Sequence, residues 1–458
     1  MTTVAATANY ISGYVDIGAM KDPIDLYIGS GDTQSYFEVS IRKIAPFTHL
    51  PAPMKSEGQI DSPSYKVNKS ADVLLYSPEI ITLPDITVLP AYANQYQIAW
   101  TPNPAHNIVT QGQLTFTDVP LSTFDSIAED QVTQHSVEPG KWKVYNKMIG
   151  NLTTLVHFSS HLPTTRIVNM GLWTYDRPGN GLFLCCATLN QIMLVMTHVT
   201  DLSKFIRIRQ NTGTNTDGSI IWTDVLPNTV DLNSIVSVVG GWGKMTLTMP
   251  EMWGEYAVLT DDERDYHVGR VIDQLILLYV KASSSQSGAG AFDLSFSFHY
   301  PLRALFYNAV NMTAQQYNNY SNYTTDPFNN QGINPIASTS YYYDAQPRFE
   351  NMPSTFPSDI WPYKHATRSP QDEGYNFIPY CMRLSSIQMD GWTEPNRIDT
   401  ELKFTVSETP TNTSAPTFQP CNYVIQLRGI CVNIIRYQQE SLGFPSLSTT
   451  GAATTTVS

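Results

Sequence analysis

The 458-residue chain carries 27 basic and 40 acidic side chains, a net charge of −13, and only 15% charged residues against about 25% in an average soluble domain. The acidic balance sets it against phosphate backbones and anionic lipid surfaces, which argues against a direct nucleic-acid partner. Five cysteines, two of them adjacent at Cys185 and Cys186, are too few and too scattered to staple such a length, and all five read as reduced and mostly packed.

The start, Met1 to Tyr10, is small and polar, with no positive n-region and no apolar h-region, and no stretch reaches the ~18 apolar residues of a membrane span. Residues 1–19 are therefore expected as an arm of a protein made in the cytosol. Leu121, Phe124, Ala128 and Val132 stand three and four apart and predict one face of a helix. Lys204-Phe205-Ile206-Arg207-Ile208-Arg209 alternates charge with apolar groups and predicts a strand with one solvated face. Thr216-Asp217-Gly218 predicts a hairpin turn between that strand and Ser219–Trp222, because Asp-Gly readily supplies positive φ.

Thr260 followed by Asp261-Asp262-Glu263-Arg264-Asp265-Tyr266-His267 predicts a short helix with an acidic first turn and Thr260 as N-cap. Beyond it, Phe292, Leu294, Phe296 and Phe298 alternate with Asp293, Ser295, Ser297 and His299, the pattern of a half-buried strand. Ile398, Leu402, Phe404 and Val406 repeat it, as do Tyr423, Ile425 and Leu427. Between Asn311 and Tyr380 alternation fails and Asn, Tyr, Pro and Ser dominate, so 311–380 is expected as an elaborated surface loop, partly with structure of its own. Residues 447–458, rich in Thr, Ala and Ser, are expected as a disordered tail.

The search for chemistry yields no catalytic, cofactor-binding or metal residue. His157 and His161 are four apart, but no Glu follows the first, no third ligand is near, and Pro163 ends the segment. No His-x-His pair, nucleophile elbow, phosphate-binding loop or dinucleotide fingerprint occurs. Val239-Gly240-Gly241-Trp242-Gly243 lacks the spacing and Lys of a phosphate cradle and reads as a bulge or turn. The acidic pairs Asp261/Asp262 and Glu394/Asp399 are weak pointers to glycoside hydrolysis. Sequons at Asn68, Asn151, Asn311, Asn319, Asn322 and Asn412 read as chance in an Asn/Thr-rich chain.

A series of motifs in fixed order resembles the major capsid proteins of nucleocytoplasmic large DNA viruses, most closely those of iridoviruses. It runs from Ser12-Gly13-Tyr14-Val15-Asp16-Ile17, Gly31–Phe37 and Phe47-Thr48-His49-Leu50-Pro51 through Trp100-Thr101-Pro102-Asn103 with His106-Asn107, Leu114-Thr115-Phe116 and Tyr145–Asn151. It continues through Asp262-Glu263-Arg264, Arg303–Tyr307, Arg348–Met352, Asn396–Asp399 and Thr405–Glu408 to Leu442-Gly443-Phe444-Pro445. Leu172-Trp173-Thr174-Tyr175-Asp176-Arg177-Pro178 departs from the family, whose members often carry a Phe-rich run there.

The resemblance implies an all-β fold of two tandem eight-stranded jelly-roll β-sandwich domains with long loop insertions and few short helices. The domains are expected at 20–258 and 271–446, joined by a connector at 259–270. It further implies homotrimeric, pseudo-hexagonal capsomers tiling an icosahedral virion shell, in contact with neighbouring capsomers and minor capsid proteins and overlying an internal membrane without spanning it. No cofactor and no enzymatic activity are implied. The alternative from another class is a carbohydrate-binding or glycoside-processing β-sandwich protein, favoured by Tyr/Asn/Trp-rich loops and scattered carboxylates; a fibrous phage-type appendage is a third.

Overall fold

The computed structural model describes residues 48–444 except 70, 118, 175–179, 240–244, 283–286, 289, 329–330, 386–389, 396–398 and 407–420. The expectations for the 1–19 arm, the motifs before Thr48, Tyr175–Pro178, the glycines at 240–243, Ile398, Asn412 and the 447–458 tail lie outside these residues.

The chain is mostly β, and every described ladder is antiparallel within its own half. Before the connector, Thr165–Asn169, Glu79–Leu83, Glu251–Val258, Val73–Tyr76 and Leu182–Phe183 form one sheet, with Thr48–Pro53 added along Glu251–Val258. Facing it is the sheet Lys55–Glu57, Ser64–Lys66, Ile192–His198, Val109–Phe116 and Val119–Asp125, and two three-stranded sheets complete this half. After the connector, Ile272–Lys281, Tyr423–Gln438, Leu302–Asn311 and Asn376–Pro379 lie side by side, and Gly290–Phe296, Thr400–Val406, Ile336–Tyr343 and Gln346–Pro353 form the opposing sheet. Two-sheet packing of this kind needs one apolar face per strand.

Period-2 reading succeeds where it should. Phe292, Leu294, Phe296 and Phe298 are buried while the residues between them are exposed, and Leu402, Phe404 and Val406 face them from the paired strand. Two strands break the rule informatively. Leu302–Asn311 is buried at every position, and Tyr423–Gln438 alternates at first and is then buried without a break from Leu427 to Ile435. A strand loses alternation when both faces are covered, and the outer face of this sheet packs on the first half.

The hairpin at Thr216-Asp217-Gly218 is present, with Gly218 at φ +85° between Ile206–Thr214 and Ile220–Val225. The connector holds the expected helix, Asp261–Val268; Thr260 occupies the N-cap position, but its hydroxyl makes no capping bond.

Three expectations are corrected. Leu121 and Phe124 belong to the strand Val119–Asp125, and the helix begins only at Ser126; all four residues of the expected face are buried, so the spacing found core positions but not their element. The strand is fixed there because the Phe124 ring lies over Gly112 of the neighbouring strand, where a Cβ would come within 2.1 Å of it. The 204–209 strand begins only at Ile206, after a 3-10 turn Leu202–Phe205 that leaves Lys204 exposed, and its expected charged face is covered at Arg207, which is buried, donates to the carbonyl of Phe328 at 2.5 Å and stacks on Phe158 beside the half-buried Arg209. Finally, 311–380 has structure of its own, as expected in part, but much of it is not surface. It contributes the strands Ile336–Tyr343, Gln346–Pro353 and Asn376–Pro379, and its segment 322–327 is buried throughout.

Candidate functional site: a buried polar seam between the two halves

The helix Ser126–Ser136 is unusual for a helix with six polar residues in its body, because Ala128 through His135 are all buried. Its residues explain why it can lie there. Asp125 caps it, accepting from the Ala128 amide at 2.9 Å; Glu129, Asp130 and Gln134 meet partners from other elements, while Thr133 and His135 bond carbonyls of the helix itself.

The same Asp125 carboxylate takes a forked bond from Arg428 of the long strand Tyr423–Gln438, with Nε to Oδ1 at 2.9 Å and Nη2 to Oδ2 at 2.6 Å. The Arg428 side chain is 3% exposed and Asp125 28%, so the cation is the desolvated member. One turn on, Asp130 accepts from His106 Nδ1 at 2.6 Å, from Asn103 at 3.2 Å and from the Tyr323 hydroxyl at 2.9 Å, while His106 Nε2 meets the Tyr145 hydroxyl at 2.8 Å. Burial opposes an imidazolium at His106, but the bond to Asp130 and the charges of Glu129 and Asp130 outweigh it and raise its pKa. Burial and the Asp130 charge push the Tyr323 phenol well up, so it remains a donor.

Glu129 accepts from Asn169 Nδ2 at 3.0 Å, and burial drives its pKa up to about 8. At the end of the helix, His135 donates from Nδ1 to the Gln131 carbonyl at 2.7 Å and packs on Phe306 and Phe377. Burial lowers its pKa to about 4, so the ring is neutral. Arg368 grips the Gln134 carbonyl and side chain at 2.9 and 2.6 Å and lies over the Trp142 ring, whose Nε1 donates to Gln371.

The segment after Asn311 completes the seam. Asn318 donates to the carbonyl of Ile206, the Tyr320 amide to Thr101 Oγ1, and Asn107 to Ser321 Oγ. Three sequon asparagines are structural here. Asn311 caps a short helix through the Ala314 amide, Asn319 donates to Pro327 O, and Asn322 holds Thr324 and Asp326; all three are buried. At the far edge, Tyr437 donates to Gln274, which binds Asn180 and Gly181, and Asn190 accepts from the Leu442 amide at 2.7 Å.

This arrangement ties the two sheet systems together through buried hydrogen bonds. His157 is exposed, and His161 pairs only with Asp85 at 3.1 Å. Among the described residues no group of three or more His, Cys, Asp or Glu could hold a metal ion, and no helix is long and apolar enough to cross a membrane. Asp261 bonds Arg264, and Asp399 uses its amide to bind Asp344. Sequence reasoning missed Asp125, Asp130, Arg368 and Arg428, since acids and arginines without a motif carry no local signal.

Tandem two-sheet halves joined through a buried seam make up a double jelly-roll fold. The fold superposes on a chain of the PBCV-1 virus capsid quasi-atomic model with a TM-score of 0.67 at 14% identity, covering 89% of this chain and 99% of that one. Residues 255–443 match the model of the large eukaryotic DNA virus major capsid protein family. Beyond that segment, the chain is 25% identical over 420 residues to the major capsid protein of Wiseana iridescent virus, covering 86% of this chain and 83% of that one. It is also 25% identical over 475 residues to that of Frog virus 3, covering 95% and 98%. The chain is thus similar over its second part to the large eukaryotic DNA virus major capsid protein family, and over most of its length to major capsid proteins of iridescent viruses and a frog virus.

Proposed function

We propose that this chain works as a homotrimeric, pseudo-hexagonal capsomer in an icosahedral shell, with jelly rolls at 20–258 and 271–446 and the connector at 259–270. The observation that carries the reading is the rigid pairing of two sheet systems. A threefold object built from six such units tiles a near-hexagonal lattice without six chains, and many weak lattice contacts then act together. Neighbouring capsomers, minor capsid proteins and an underlying membrane are the partners this geometry would serve, with no direct contact to nucleic acid.

Assembly needs surface that a neighbour can cover. The helical stretch 356–365 leaves Phe356, Ile360 and Tyr363 in solvent, Tyr363 at 84%, and these are candidates for chain-to-chain contact. Light scattering over a wide dilution series tests the proposal. The expected species is about 154 kDa, three times the chain's 51.2 kDa. A folded monomer at micromolar concentration that forms no trimer on concentration would overturn it and bring forward the carbohydrate-binding alternative.

A further inference from the structure

Cys185 and Cys186 play no part in the seam as described, yet they stand where the connector is fastened. Their sulfurs are 3.8 Å apart, with Cys186 buried and Cys185 half-buried. The backbone that carries them hangs on Asp72, whose carbonyl accepts from the amides of Leu184 at 2.8 Å and Cys185 at 3.1 Å. The carboxylate of the same Asp72 takes Arg264 of the connector helix in a fork, at 2.7 and 3.0 Å, and the Leu259 amide at 2.7 Å. One residue therefore fixes both the dithiol turn and the connector.

We infer that Cys185 and Cys186 form a reversible thiol–disulfide site, oxidised to a ring between adjacent residues by disulfides of the glutathione class.

The two thiols are differentiated for sequential attack. Cys185 is the half-buried and therefore accessible member, and the contact with the Cys186 sulfur lowers its pKa against the effect of burial, with help from the Arg264 charge, so Cys185 is the nucleophile. Its thiolate attacks one sulfur of oxidised glutathione, and the first glutathione leaves as a thiolate. Cys186 is held protonated chiefly by its bond to Cys185. Capping Cys185 removes that restraint; Cys186 then loses its proton, attacks the Cys185 sulfur and expels the second glutathione. Two protein thiols are oxidised, one glutathione disulfide is reduced, and the two thiol protons end on the two released glutathiones.

Neighbouring Cα atoms are about 3.8 Å apart, shorter than the usual disulfide span, so the ring is strained and readily reduced. A reducing cytosolic pool keeps the pair open, and an oxidising exterior closes it. Closure reshapes the 184–187 turn and so disturbs the Asp72 clamp.

The test is peptide mass analysis of the full native chain after equilibration with oxidised glutathione and trapping with iodoacetamide. These are the only cysteines between Arg166 and Lys204, so one tryptic region reports on both. The expected product is two hydrogens lighter, unalkylated, and restored by dithiothreitol. At pH 7, Cys185 is expected to alkylate about tenfold faster than Cys381, Cys421 or Cys431, which are buried. In Cys185→Ser, which changes the half-buried member, Cys186 is expected to stay unmodified. A stable glutathione adduct on Cys185 with Cys186 still alkylated overturns the inference, as does recovery of both thiols fully alkylated.

Discussion

Asp125 has two tasks that a single substitution separates. It caps the central helix and neutralises Arg428, whose side chain is 3% exposed against 28% for its own. Asp125→Ala leaves a cation buried without its carboxylate, a loss of about 3–5 kcal/mol, and removes a cap worth about 1 kcal/mol. Arg428→Met leaves a carboxylate that still reaches water and still caps, so it should cost less by at least about 1 kcal/mol. Denaturant titration of the two variants decides it, and equal losses would count against the assignment.

Glu129 gives the seam a pH dependence with a definite sign. Its folded pKa is raised by burial to about 8 from 4.5, so the folded chain holds a proton that the unfolded chain releases. The stability this contributes is complete below pH 4.5 and is lost as pH rises through 8, by at most about 1.4 kcal/mol per pH unit. His106, also raised, adds to the same alkaline loss. His135, lowered to about 4, works oppositely and withdraws stability as pH falls below 6.5. Glu129→Gln keeps the acceptor for Asn169 but does not titrate. Unfolding midpoints at pH 6 and pH 8.5 should fall together less in the variant than in the parent, and parallel falls would refute the role given to Glu129.

At the scale of elements, the decisive piece is the buried stretch 322–327 between the halves. Gly374 makes room for it. Its φ is +92°, and a Cβ there would lie 2.1 Å from the Tyr323 carbonyl oxygen. Backbone cannot retreat as a flexible side chain does, so Gly374→Ala should cost about 2–4 kcal/mol through strain and overpacking. Amide exchange should then rise first at Tyr323 to Thr325; protection unchanged there would show that the segment is held by other contacts. The lost alternation in 311–380 has the same origin. Asn319, Asn322, Tyr323 and Thr325 look like loop residues because they are polar, and they are buried because Asn319, Asn322 and Thr325 find partners within the folded segment and Tyr323 finds Asp130 across the seam.

For the whole molecule, the seam joins the two sheet systems through buried hydrogen bonds, a linkage that the proposed lattice unit would need. If trimerisation covers further apolar surface, folding and association are linked, and the thermal midpoint should rise with protein concentration in the same dilution series used for light scattering. A concentration-independent midpoint in a chain that scatters as a trimer would mean that the interface adds nothing to stability.

Much of this was legible in the sequence. Alternation at 292–298, 402–406 and 423–427 set the β class, Asp-Gly set a hairpin, the acidic run at 261–265 set the helix Asp261–Val268, and the ordered motifs carried the resemblance to capsid proteins. These signals are local, or are strings that can be compared, so they need no fold to be read. The seam needed one. Asp130 and Tyr323 are 193 residues apart, and Asp125 and Arg428 are 303 apart. Whether a polar side chain at such a distance is solvated or buried depends on what folds against it, because a hydrogen bond across the interface can replace the water it loses. The same holds for Leu302–Asn311, where covering the second face removed the alternation that would have announced a strand.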